Sequence, residues 1–124
     1  MQITQELPDF RYLCRAVSES GVLVNERELT ASFLMAPNHL REDWPVKTLA
    51  EATEAHWQAV LELAPALFIL GTGREQRFPE PKQLAFFLQR GIGFEAMDNA
   101  AAARTFNLLA QEGRNVVTGF ILPG

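Results

Sequence analysis

Cysteine and histidine are scarce in this 124-residue chain, and long apolar runs are missing. The single Cys14 has no partner for an internal disulfide. Between Leu13 and Arg15 in a strand-like stretch, it reads as a small core residue in a reducing compartment. His39 and His56, the only two histidines, share no ligand spacing such as H-E-x-x-H, so no metal site is expected. No window reaches the roughly eighteen apolar residues that a membrane span requires. Basic residues are outnumbered 11 to 15 by acidic ones and form no stripe, which argues against nucleic acid as a partner. The first nine residues contain no Lys or Arg, unlike a secretory or mitochondrial leader, so the expected compartment is the cytoplasm. Neither G-x-G-x-x-G nor G-x-x-x-x-G-K-[ST] occurs. Ser18, Ser20 and Ser32 lack the G-x-S-x-G elbow of a serine hydrolase.

What is present is material for one packed interior. Hydrophobic residues make up 48% of the chain, with nine Phe and two Trp, enough for a single core in a domain spanning residues 1–124. Residues 1–9, with Pro8, read as an irregular arm. From Phe10 to Val17 the pattern alternates, and a turn at Ser18–Gly21 leads into Val22–Val24, a hairpin. A second turn at Asn25–Glu28 precedes a strand from Leu29 to Met35, with Ala31, Phe33 and Met35 on one face. Pro37, His39, Trp44 and Pro45 make residues 37–47 a loop or short edge strand. Thr48 and Glu51 have capping-box spacing and predict a helix from about Leu49 to Leu63, with Trp57, Val60, Leu61 and Ala64 as its apolar stripe and Pro65 as its stop. Glu51, Glu54 and Glu62 read as its solvated face.

The chain turns on Leu67–Gly73. Four large apolar residues without alternation predict a strand covered on both faces, in the middle of a layered domain, and the glycines predict a tight turn at its carboxyl end. Next comes a polar loop. A helix from about Pro81 to Arg90 presents Leu84, Phe87 and Leu88, with Gly91 as its cap. Ile92–Met97 is a short strand, and Asp98 or Asn99 caps a helix reaching about Glu112, its buried stripe Ala102, Phe106, Leu109 and Ala110. Gly113 ends that helix, and Val116–Leu122 is the last strand. Strands succeeded by an αβαβαβ order predict an α/β domain with a parallel or mixed sheet; the antiparallel first half either extends that sheet or lies beside it.

Gly71, Thr72 and Gly73 are the sharpest candidate site. A glycine-rich turn exposes amides to a phosphate or carboxylate, with Arg74 and Arg77 to supply charge. Against this, the next helix starts too far on to aim its amides at the same anion, and a tight turn required by the sheet explains the glycines. Asp98 is a candidate carboxylate or a helix cap. Asn107, in an apolar helix centre, either faces solvent or bonds a neighbouring loop. Phe86 and Phe87, near Trp44 or Phe78, form either an exposed aromatic patch for a protein partner or a buried pair.

Leu67–Gly73, Phe78-Pro79, Arg90-Gly91-Ile92, Met97-Asp98-Asn99, Thr105-Phe106-Asn107 and Glu112-Gly113-Arg114 together resemble the Mth-like domain family. The resemblance implies a three-layer α/β fold with a central mixed sheet of about five strands, helices packed on it and an extra N-terminal β element. A mitochondrial member acts in building respiratory complex I, with no established catalytic chemistry. The chain is therefore expected to be a noncatalytic interaction or assembly-factor domain with a protein partner, and without cofactor or catalytic residues. The alternative is a small-molecule, anion or nucleotide, binding protein or enzyme, with Gly71, Thr72, Gly73, Arg74, Arg77, Asp98 and Asn107 as its site. Asn99 stands where the family pattern has Thr, a change that keeps helix-capping ability.

Overall fold

Short alternating segments separated by turns build two sheets in the computed structural model, which describes residues 11–124. The first is an antiparallel meander of β1 (Cys14–Val17), β2 (Val22–Val24) and β3 (Arg27–Leu29). Ser18 closes its first turn, its amide donating to the Gly21 carbonyl at 2.9 Å. Asn25, at φ 52°, closes the second. The arm expected at residues 1–9 lies outside the described residues.

The second sheet contains β4 (Phe33–Ala36), β5 (His39–Arg41), β6 (Leu67–Gly71), β7 (Gly93–Met97) and β8 (Val116–Phe120), in the order β5-β4-β8-β6-β7. It is mixed: β6 runs parallel to β7 and β8, while β4 is antiparallel to β5 and β8. Helices α1 (Glu54–Leu61) and α2 (Pro81–Leu88) pack on one face around Trp57, Phe68, Phe87 and Phe94. Helix α3 (Asn99–Gln111) and the meander cover the other, around Ile69, Phe106, Phe120 and Val22. The chain thus forms a three-layer α/β domain, as expected.

Several expectations change, among them that Ala64 and Leu88, expected on the apolar stripes of their helices, are exposed. The stretch Leu29–Met35 divides between the two sheets, because residues 30–32 carry the chain from one layer to the other. Ser32 fixes that crossing, its hydroxyl donating to the Val46 carbonyl at 2.7 Å and accepting the Leu122 amide at 2.9 Å. Phe33 and Met35 share a face, while Ala31 is exposed outside any strand. Helix α1 starts at Glu54 rather than near Leu49. Thr53 caps it, and His56 Nδ1 accepts the Thr53 amide at 2.9 Å. Thr48 and Glu51 make only one isolated turn, since Leu49 is drawn into the core and its carbonyl accepts Gln83 Nε2 at 2.9 Å. Finally, β6 is covered on both faces, yet β8 occupies the centre of the sheet.

At the middle of β8, Thr118 is fully buried and its hydroxyl has no hydrogen-bond partner among the described residues. An unsatisfied buried hydroxyl costs about 1–3 kcal/mol, so Thr118→Val, which keeps the shape, should raise the urea midpoint by an equivalent of about 1 kcal/mol. An unchanged or lowered midpoint would mean that the hydroxyl is satisfied in solution.

Burial pushes the Cys14 thiol up to about 12. The folded chain should therefore resist thiol reagents at pH 8, with labelling limited by unfolding. Fast native labelling would contradict the burial. Because the folded thiol holds its proton through a range where an unfolded one has lost it, this group's contribution to stability falls as pH rises from about 9 to 12.

Candidate functional site

The carboxyl ends of β6 and β7 meet the start of α3, and one side chain knits them together. Asn99 is only 4% exposed. Its Oδ1 accepts the Gly73 amide at 3.0 Å, its Nδ2 donates to the Ile121 carbonyl at 3.1 Å, and its own amide donates to the Gly73 carbonyl at 2.8 Å. Gly71 is the point of closest approach. A Cβ there would overlap Asn99 Oδ1 and lie 3.0 Å from the Phe120 ring, so glycine is required by packing. Gly73, at φ 102°, needs the conformational freedom of glycine to turn the chain.

Thr72 organises the loop that leaves β6. Its amide donates to the Met97 carbonyl at 2.8 Å, and its hydroxyl donates to the Glu75 carbonyl at 2.7 Å and accepts the Arg77 amide at 3.0 Å. The amides of Thr72 and Gly73 are thus both engaged by protein acceptors. Asp98 Oδ1 accepts the Ala101 amide at 2.8 Å, which makes Asp98, rather than Asn99, the cap of α3.

Gly73, Arg74 and Asp98 come together with Val17, Ser18, Glu19, Asn99 and Ala100 around an open cleft of about 290 Å³. Arg74 reaches across to Glu19 at 3.1 Å, and Arg77 pairs with Glu75 at 3.3 Å; all four side chains are mostly exposed, so these pairs contribute little to stability. Arg77 is not part of the cleft lining. Asn107 lies elsewhere, farther along α3. Its Oδ1 accepts the Cys14 amide at 2.9 Å and its Nδ2 donates to the Cys14 carbonyl at 2.7 Å, so it takes the place of a strand partner and ties α3 to β1.

In the sequence, Asn99 signals no role beyond helix capping. A buried amide beside a helix start differs in sequence from an exposed one only through its distant partners. The aromatic residues also resolve: Trp44, Phe86 and Phe87 are buried, with Trp44 Nε1 donating to the His56 carbonyl at 3.0 Å. Phe78, Leu88 and Leu108 are the large apolar side chains left exposed among the described residues, Phe78 the most, at 78%. Among these residues no group of three or more His, Cys, Asp or Glu gathers as a metal site, and no helix is long and apolar enough to cross a membrane.

A mixed five-stranded sheet between two helices on one face and a helix plus β meander on the other defines the class, an Mth938-like α/β domain. A Bordetella pertussis protein solved by NMR and described as an Mth938-like domain matches it with a TM-score of 0.80 at 29% identity, covering 100% of this chain and 94% of that one. An NMR structure from Xanthomonas campestris is 50% identical, with a TM-score of 0.84 and the same coverage, 100% and 94%. Residues 14–121 match the family described as protein of unknown function (DUF498/DUF598), and the chain belongs to that family. NADH dehydrogenase [ubiquinone] 1 alpha subcomplex assembly factor 3 of Bos taurus is 32% identical over 107 residues, which are 85% of this chain and 56% of that protein. The chain spans about half the length of the curated relatives it matches.

Proposed function

We propose that this chain is a noncatalytic assembly-factor-like domain that works by binding another protein during construction of a respiratory complex, and that it does so in the cytoplasm. The observation that carries this reading is the 32% identity, over 85% of the chain, to an assembly factor of NADH dehydrogenase. Support also comes from how the polar groups are spent: Thr72, Asp98, Asn99 and Asn107 direct hydrogen bonds to the chain's own backbone. Deleting the chain from its source cells should lower membrane NADH:ubiquinone oxidoreductase activity and the amount of assembled complex on a native gel, with both restored by re-expression. Undiminished assembly would sink the proposal, and recovery of the chain in the membrane fraction would overturn its placement.

A second reading rests on the cleft beside Gly73, Arg74 and Asp98. It makes the chain a small-molecule, anion or nucleotide, binding protein or enzyme. It has less in its favour because the amides of Thr72 and Gly73 already donate within the protein. An NMR titration with nucleotides, flavins and small acids that left the amides of Gly71, Thr72 and Gly73 unmoved would remove it.

A further inference from the structure

Strand β7 is an edge of the five-stranded sheet, and part of its main chain is unused by any described strand. The Gly93 amide donates to the Ala66 carbonyl at 3.1 Å, and the Met97 carbonyl accepts the Thr72 amide at 2.8 Å. Gly93, Glu95 and Met97 therefore turn their main-chain groups towards β6, and the alternation of a parallel ladder turns those of Phe94 and Ala96 outward. One outward group is already covered in a telling way. Gln76 Nε2 donates to the Ala96 carbonyl at 2.9 Å, a side-chain amide placed where the N–H of a neighbouring strand would be. The amides of Phe94 and Ala96 and the carbonyl of Phe94 have no such cover among the described residues.

The loop that supplies Gln76 also carries Phe78, two residues farther on and 78% exposed. Two residues of chain span at most about 7 Å, so Phe78 belongs to the same short stretch of loop as the residue that reaches the β7 edge. Its loop is held in place by the hydrogen bonds of Thr72 to Glu75 and Arg77. A solvent-facing aromatic on the loop that reaches these outward strand groups combines a side-chain anchor with a main-chain template.

The geometry points to the β7 edge and Phe78 as the docking site for an extended segment of another protein, added as a sixth strand and carrying Lys or Arg near Glu95. This rests on the protein-binding reading above and names its surface. Charge selects the occupant. Glu95 is exposed on β7, and antiparallel self-pairing that engages both outward residues of each strand would set Glu95 opposite Glu95, an unfavourable like-charge pair. A basic residue in that position is favoured instead. The incoming strand would replace the Gln76 amide with a main-chain donor and pack an apolar side chain against Phe78.

The test uses the full chain in its source cells, with a benzophenone amino acid in place of Phe78 or, separately, of Leu108 on α3. The expected result is an adduct at position 78 to one protein, mapped by mass spectrometry to a segment containing Lys or Arg. Glu95→Lys, which replaces an attraction with a like-charge repulsion, and Ala96→Pro, which removes one main-chain hydrogen bond, should each reduce that adduct about tenfold. Ala96→Pro removes an outward amide and no ladder bond, and proline is tolerated there on an edge strand. If it melts far below the wild type, the exposed Glu95→Lys variant carries the test alone. In the complex with a synthetic peptide of the mapped segment, hydrogen exchange at Phe94 and Ala96 should slow. An adduct to a second copy of the chain, or one indifferent to Glu95→Lys, overturns the proposal. Adducts at position 108 alone would leave the assembly reading standing and remove this surface. Adducts at neither position, together with undiminished assembly in the deletion strain, would remove both.

Discussion

Replacing Trp57 by alanine should cost about 3–5 kcal/mol, a large fraction of the 5–15 kcal/mol that holds a typical domain together. The side chain is only 2% exposed. Its ring lies 5.4 Å from Phe87, 5.8 Å from Phe94, 6.0 Å from Phe68 and 6.4 Å from Trp44, mostly edge to face. These partners come from α2, β7, β6 and the 42–53 segment, so one indole joins both helices of that layer to the sheet. Truncation would open a cavity bounded by rigid rings that cannot collapse into it, which places the cost at the upper end of the range for core deletions. Urea unfolding monitored by circular dichroism measures it. A loss below about 1 kcal/mol would mean that the aromatic cluster repacks freely.

The second large effect lies at the strand ends. Gly71→Ala should destabilise by about 1–3 kcal/mol, because the new methyl overlaps Asn99 Oδ1 and crowds Phe120. Asn99→Ala alone should cost about 2–4 kcal/mol, since it strands the Gly73 amide and the Ile121 carbonyl. The two losses should not add. Once Asn99 is truncated, the Gly71 methyl has lost its worst neighbour, and the double mutant should be about 1 kcal/mol more stable than the sum predicts. Equilibrium unfolding of the four proteins in the cycle gives the coupling. Additivity within about 0.5 kcal/mol would mean that Asn99 does not set the packing at Gly71.

Much of this architecture is legible residue by residue. The unbroken run Leu67–Leu70 announces a strand covered on both faces, Pro81 and Gly91 bracket α2, and Asp98 announces the start of α3. Each is a local matter of periodicity, backbone freedom or capping, readable within a few neighbouring positions. The misplaced start of α1 shows the limit. Thr48 and Glu51 have capping-box spacing, yet the pull of the core on Leu49 and the Gln83 bond to its carbonyl override the local signal. Leu29–Met35 fails for a similar reason: continuity of β-favouring residues does not say that a chain changes layers at Ser32.

At Gly71-Thr72-Gly73 both kinds of information meet. Local sequence alone settles that a buried strand ends there in a turn, because apolar residues stop and glycines begin. That Gly71 makes room for Asn99, that the Gly73 amide is spent on the Asn99 side chain, and that β8 rather than β6 takes the middle of the sheet depend on contacts made across the fold. Asn99 reaches Gly73 and Ile121 from 26 and 22 positions away, and Asn107 reaches Cys14 from 93. Partners at such separations are chosen by how layers pack and strands order, and neither is written in any short stretch of residues.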